Sequence, residues 1–460
     1  VLSKVLGRRL LAVATTFALG SACLAACSSE PETPRAQASA TSSVCAELTE
    51  LTKEYGSFPA GTAVMVAVQR SWVGAQAMQA SLERLSRCTG VDVEVVEVED
   101  VVSALEQGDL QADLALLPEA GVLPSVVDQG LVRQVPQAVG ANVELGWDRV
   151  WAEAGTVDGV LYAAPLTASL DSLVWYPPQT FTRLGYEVPQ TWEQMLSLTT
   201  QVVDDFPDGD VAPWCLSLEG SEAEGSQLTG WLADALVQLS GPVAYDQWTS
   251  GEEPVDSADA VAALDALGTL LLTDGHVAGG RQAALTTTPQ QAVEQLVDGQ
   301  CLMLHAPSSL EALLTDGVVA DGDLSAFPTP SGGRGEETAS VASADFLVMV
   351  RSGQGADAVM SYLTSAQWAQ AYAALRTGAS AHHGVDAAAT GSAVVQRASQ
   401  VLQSRQSLLR LDSGELLPAE QMKALHQALA AWAAGDADAA TALGRAETGL
   451  GTEPEADGEQ

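Results

Sequence analysis

Between positions 91 and 98 the chain alternates apolar and mostly acidic side chains, Val91-Asp92-Val93-Glu94-Val95-Val96-Glu97-Val98. A period of two sends neighbouring side chains to opposite faces, so this segment predicts a strand buried on one side. The apolar run 63–68 predicts a second strand, and 112–117, stopped by Pro118, a third. Between them Met78, Leu82 and Leu85 recur at helical spacing within 76–87, and 101–108 predicts another helix. Strand, helix, strand, helix, strand is the order that builds a parallel sheet. A second α/β region follows Pro165, with a strand at 172–176. Its first helix opens at Thr191, an N-cap whose capping box Gln194 completes. Helices near 230–240, 256–273 and 289–298 follow, then a strand at 301–305. The last third is Ala-rich and helical, notably 418–434, and no repeat of solenoid period is present.

The first residues carry a different pattern. Lys4, Arg8 and Arg9 precede an apolar run, 10–26, that closes on Leu24-Ala25-Ala26-Cys27. A basic head, an apolar middle and small residues at the end read as an export signal over 1–26. Leu-Ala-Ala-Cys has the form of a bacterial lipobox, so Cys27 is expected to carry the lipid that anchors the protein to the outer face of the membrane. Residues 27–44, rich in Ser, Ala, Thr and Pro, read as a flexible tether. Residues 448–460 read as a disordered tail. No later unbroken apolar run reaches the ~18 residues of a membrane span.

The 460 residues, 47% hydrophobic, suffice for two or three packed domains. Twenty Lys and Arg against 59 Asp and Glu leave a net charge of −39, which repels phosphate backbones and argues against nucleic acid as a partner. Beyond Cys23 and Cys27 four cysteines remain, Cys45, Cys88, Cys215 and Cys301. In an exported chain they suggest disulfides, and four cysteines allow three pairings. Cys45–Cys88 with Cys215–Cys301 is favoured, because each pair then falls within one prospective lobe. No two have the short spacing of zinc ligands.

Three ordered stretches carry a resemblance. The first is Asp113-Leu114-Ala115-Leu116-Leu117-Pro118 followed by Gly121-Val122-Leu123. The second runs from Val157-Asp158-Gly159-Val160-Leu161-Tyr162 through Ser172-Leu173-Val174-Trp175-Tyr176 and Gly185-Tyr186-Glu187-Val188-Pro189-Gln190-Thr191-Trp192 to Pro213-Trp214-Cys215. The third holds Tyr245-Asp246-Gln247-Trp248, Val277-Ala278-Gly279-Gly280 and Gly299-Gln300-Cys301-Leu302-Met303-Leu304-His305. In order and spacing, over roughly residues 60–440, these resemble the extracellular solute-binding proteins of carbohydrate ABC importers, the group that includes maltose-binding protein, and most of all its α-glucoside-binding branch. The resemblance implies an α/β, two-lobed periplasmic-binding-protein-like II fold with a hinge and an inter-lobe cleft. It implies lobe 1 at 45–164 plus 344–384 and lobe 2 at 165–343 plus 385–447, with crossings near Pro165, near 343–345 and near His383. It further implies a Cys215–Cys301 bond, no cofactor, a neutral sugar or oligosaccharide ligand, and delivery of that ligand to the transmembrane subunits of a permease by a monomeric, extracytoplasmic protein.

A sugar offers an apolar ring face and a rim of hydroxyls, so its site needs an aromatic platform and hydrogen-bonding side chains. Trp214, after Pro213 at a strand end, is the first candidate platform, and the resemblance implies the same role. Trp72 follows the first strand, where family members touch ligand. Trp231 and Asp234 share a helix face at i, i+3. Trp175 and Tyr176 alternate on a strand, so at most one of them faces a cleft. Asp345 stands near the hinge where the family has Asp after a glycine run, here Ala342-Ser343-Ala344. Glu119 follows the stop of the third strand, and His305 closes a later strand, where a satisfied core histidine is the competing reading. Ala306-Pro307 replaces the family's Arg-Gln, and Asp171 replaces its Lys before Ser172. These losses keep open a second reading, a binding-lobe lipoprotein with a degenerate site used for signalling or scaffolding. An exported glycoside hydrolase is a third, against which stand the binding role of the family and the lack of a G-x-S-x-G or H-E-x-x-H motif. No catalytic or metal-binding residue is assigned.

Overall fold

Alternation along β1 (Thr62–Gln69) sends Val64, Val66 and Val68 into one core and Ala67 into another, so helices must cover both faces of its sheet. A computed structural model shows that arrangement. It describes residues 61–218, 226–314, 322–332, 339–375 and 378–449, together with Cys45, Leu48, Lys53 and Phe58. The expected signal, the tether with Cys27, and residues 450–460 of the expected tail lie outside the described residues. The last helix, Ala439–Gly449, runs two residues into the stretch read as tail.

β1 pairs in parallel with β2 (Val91–Val98) and β3 (Leu114–Leu117). Helix Ala75–Thr89 connects β1 to β2; it buries Met78, Leu82 and Leu85, and Gly90 ends it in the left-handed region at φ 81°. Thr156–Val157 (β4) and Val160–Leu161 (β5) form a small hairpin, turned by Asp158 and Gly159 at positive φ. β6 (Ala163–Leu170) is followed after two residues by β7 (Leu173–Tyr176), the first strand of a second sheet. That sheet is completed by β8 (Ala212–Trp214), β9 (Cys301–His305) and β10 (Ser325–Pro328), in the order β10-β7-β9-β8. The long strand β11 (Ala339–Met349) returns to the first sheet, pairing antiparallel with β3 and β6, and β12 (Leu408–Leu411) adds to it in parallel.

The paired strands β6 and β11 link the two sheets. Because β6 stays paired with β11 along its length, the change of sheet falls at Asp171-Ser172, beyond the Pro165 expected from the sequence. A register shift between Asp345 and Phe346 marks the same ladder opposite Thr167 and Pro165. Helices Gln354–Leu363 and Ala366–Ala373 pack with Ala75–Thr89 over the first sheet. The second core gathers helices Trp192–Asp205, Ser226–Ser240, Ala258–Leu271 and Ala419–Ala434 around β7, β8 and β9. Thr191 caps the first of these, its Oγ1 accepting from Gln194 N at 3.2 Å. The Gln194 side chain reaches one residue further back than a capping box requires, to Gln190 N at 2.7 Å. Disulfides join Cys45 to Cys88 and Cys215 to Cys301. Among the described residues no helix is long and apolar enough to cross a membrane.

Candidate functional site

The hinge strands and both lobes converge on a cavity of about 330 Å³. The first lobe supplies the turn after β1, Ser71 to Gly74, and the aromatic pair Trp368 and Tyr372, whose rings stack at 4.6 Å. The hinge supplies Leu166 to Ser169 from β6 and Ser343 to Asp345 from β11. The second lobe supplies Ser217 and the end of β9 from Leu304 through Pro307. No lysine or arginine is among the described lining residues.

Three of the eight candidate ligand residues meet here. Trp72 is half-buried and its Nε1 donates to Asp345 Oδ2 at 3.0 Å, tying the first lobe to the hinge. Thr167 Oγ1 donates to the same oxygen. Burial pushes the Asp345 carboxyl up to about 6, and the Thr167 and Trp72 donors pull it partly back. His305 lines the second-lobe side. The glycine at position 74 is required by this wall: a Cβ there would stand 2.4 Å from the Tyr372 hydroxyl and 2.5 Å from the Trp72 ring.

Four other candidates stand behind the wall. Trp214 is fully buried, its Nε1 donating to Thr199 Oγ1 at 2.9 Å, so it is a core side chain under the site and offers no face to a ligand. Trp175 is equally buried and donates to the Ala306 carbonyl at 3.0 Å, supporting the lining residue from beneath. Trp231 stacks on the His305 ring at 4.1 Å, and Asp234, wholly buried, binds His305 Nε2 at 2.7 Å. Neither lines the cavity; together they hold a residue that does.

Glu119 turns away into a different recess of about 1610 Å³, which it lines with Glu415. Gly414 leaves it room: a Cβ there would lie 2.7 Å from the Glu119 carboxyl carbon. Glu415 accepts from Ala120 N at 2.6 Å and from Ala344 N at 2.9 Å, so it bridges the first lobe and the hinge strand. Around this point Asp171, Asp412, Glu119 and Glu415 crowd together. Burial, then the nearby Asp412, pushes Glu119 up to about 7; burial also raises Asp171, Asp412 and Glu415. A carboxyl whose folded value lies above its unfolded one binds more protons folded than unfolded, so stability is lost as pH rises through that window. Here the window runs from the ordinary carboxylate range up to about 7. The melting temperature is therefore expected to be higher near ~pH 5 than near ~pH 8, and Glu119→Gln is expected to flatten the slope. A melting temperature that rises toward ~pH 8 would rule this out.

Sequence reasoning did not single out Thr167, Ser169, Ser217, Trp368 or Tyr372, all of which line the cavity. Among the described residues no group of three His, Cys, Asp or Glu side chains could hold a metal ion. The arrangement is a small, largely apolar chamber with hydroxyls, one carboxyl and one imidazole on its walls.

The model of the family described as bacterial extracellular solute-binding protein matches residues 71–370. The osmoprotective compounds-binding protein GgtB of Synechocystis sp. (strain ATCC 27184 / PCC 6803 / Kazusa) is 26% identical over 346 residues, 74% of this chain and 81% of that protein. The alpha-glucosides-binding periplasmic protein AglE of Rhizobium meliloti (strain 1021) is 28% identical over 256 residues, 53% of this chain and 55% of that one. Among solved structures, the bacterial solute receptor AcbH, described as preferring β-D-galactopyranose, superposes with a TM-score of 0.71 at 17% identity, over 85% of this chain and 99% of that one. A maltose-bound protein of T. maritima superposes with a TM-score of 0.66 at 16% identity, over 84% and 98%. These likenesses show the two-lobed fold.

Proposed function

The chain belongs to the bacterial extracellular solute-binding protein family, and on that premise we propose that it captures a neutral sugar in the cavity between its lobes and hands it to a membrane permease. The observation that carries this reading is the cavity itself, walled by both lobes and by the two hinge strands. A solute that touches both lobes favours the closed arrangement, which a permease can distinguish from the empty one. The lining supports an uncharged solute: no described lysine or arginine waits for an anion, and the one carboxyl is already bound by Trp72 and Thr167. The volume lies at the low end of small-molecule sites, ~300–1,000 Å³, which favours a mono- or disaccharide over a long oligosaccharide. A relative named for alpha-glucosides and a fold neighbour described as preferring β-D-galactopyranose support the same class. The protein does no chemistry on its ligand, acts as a monomer, and is held at the outer face of the membrane by a lipid on Cys27.

A thermal-shift screen against neutral mono- and disaccharides tests the reading. A true ligand at about 100 times its Kd stabilises the fold by ~2.7 kcal/mol. A panel without a single shift would overturn the proposal. With a hit in hand, Trp72→Ala is expected to weaken binding about tenfold, ~1.4 kcal/mol, because its half-buried ring is one of the aromatics lining the cavity and is proposed as the platform for the sugar. Unchanged affinity by calorimetry would remove Trp72 from the site.

A further inference from the structure

We propose that Asp234 is a positioning residue. It fixes the His305 imidazole with its proton on Nε2, so that Nδ1 is presented to the cavity as an acceptor for a ligand hydroxyl. The inference rests on the cavity being a sugar site, as proposed above, and adds the chemistry of one wall.

The direction of each hydrogen bond follows from its neighbours. Ser172 Oγ accepts from Val341 N at 2.7 Å and gives its own proton to Asp234 Oδ1. Thr329 Oγ1 donates to Asp234 Oδ2 at 2.8 Å. The third contact, between His305 Nε2 and Asp234 Oδ2 at 2.7 Å, completes the surroundings of a side chain with no exposed surface. With the Ser172 and Thr329 hydroxyls both donating to it, the Asp234 carboxyl serves as the acceptor of this cluster, which assigns Nε2 as the donor. In the neutral ring Nδ1 then carries the lone pair. The ring cannot swing away, because Trp231, one helical turn before Asp234, stacks on its face at 4.1 Å and 26°. His305 is 8% exposed and lines the cavity, and among the described residues its Nδ1 has no hydrogen-bond partner.

The consequence is a specificity. An acceptor at this point accommodates a hydroxyl that donates and disfavours a fluorine or ether oxygen, which cannot. The same Asp234 is tied through Ser172 to the backbone of β11, so the tautomer is set from the hinge strand.

The experiment has two arms on the full-length protein. Nitrogen-15 NMR of imidazole-labelled protein should show His305 with a pyrrole-type Nε2 and a pyridine-type Nδ1 at neutral pH. The opposite tautomer, or a doubly protonated ring, overturns the proposal. Calorimetry then compares a sugar from the screen with its deoxyfluoro analogues in wild type and in Asp234→Asn. The asparagine amide can donate to Nε2 and so move the ring proton to Nδ1. Asp234→Asn should weaken the sugar about tenfold and lose wild-type discrimination against one deoxyfluoro analogue. Where Asp234→Asn does not fold, His305→Phe keeps the stack on Trp231 and removes both nitrogens, with the same expectation. Sugar affinity and analogue discrimination unchanged in the folded variant overturn the role of Asp234 and leave the sugar reading standing. Failure of wild type to bind any sugar overturns the sugar reading instead, and the acceptor role with it.

Discussion

Trp214→Ala is expected to lower folding stability by about 3–5 kcal/mol, the usual cost of emptying a buried aromatic site, while the affinity of the folded protein for its solute changes far less. The side chain has no exposed surface. Its backbone is held on one side by segment 276–278, donating to the His276 carbonyl at 3.0 Å and accepting from Ala278 N at 2.9 Å, and on the other by pairing with β9, so β8 cannot collapse inward to fill the space. The ring meets Trp231 edge-on at 5.3 Å and 75°, a contact worth something beyond area alone. Thr199 keeps its bond to the Met195 carbonyl at 2.9 Å, so the variant creates a void more than an orphaned hydroxyl. Chemical denaturation should show a lower midpoint, and calorimetry on the folded variant a Kd within about twofold of wild type. The reverse pattern, a wild-type midpoint with binding abolished, would put Trp214 in the ligand site and sink the assignment of that tryptophan to the core. Trp72→Ala should instead leave the midpoint near wild type and weaken binding about tenfold, so the two variants separate platform from core.

The contrast shows where the sequence is legible. Period-two alternation located β2, and the apolar run 301–305 located β9 to the residue, because a strand buried against a core advertises its own periodicity. Pro213-Trp214-Cys215 likewise announces a strand end. What periodicity leaves open is which of two faces meets the cavity. That depends on the parallel pairing of Trp214 with Met303, which puts both in the second core, and on helices about 15 residues away on either side of the strand. Tyr372 was unreadable for a related reason: it faces the Trp72 turn from a helix almost 300 residues later, and no local pattern encodes that encounter. Asp345 was legible through the resemblance, although Ala342-Ser343-Ala344 stands where the family has glycines. In this chain the Ala344 amide is occupied by Glu415, so the backbone there serves the hinge. Glu119 was placed at the right strand end and turned to the other recess, a choice made by Gly414 far along the chain.

Breaking the Cys215–Cys301 bond, by reduction or by a double serine variant, is expected to cost about 2–4 kcal/mol and to loosen the second-lobe wall of the cavity. The bond closes a segment of 86 residues that contains helices Ser226–Ser240, Pro242–Thr249, Ala258–Leu271 and Pro289–Val297. In the chain-entropy description a loop of that length loses roughly 4–5 kcal/mol of freedom when unfolded, and native strain commonly lowers what is realised. Cys45–Cys88 closes 43 residues, and because the term grows only with the logarithm of length, the two bonds should differ by about 0.6 kcal/mol on entropy alone. Position separates them further. Cys215 follows β8 and binds the Met303 carbonyl at 2.8 Å, with Ser217 two residues on in the cavity wall, while Cys301 starts the strand that ends at His305. Loss of this bond should therefore weaken solute binding as well as stability. Loss of Cys45–Cys88, which secures the end of helix Ala75–Thr89, should lower the melting temperature with affinity retained. Melts and calorimetry on the two double serine variants decide it: equal affinity in both would mean that β8 and β9 hold the wall without their covalent tie.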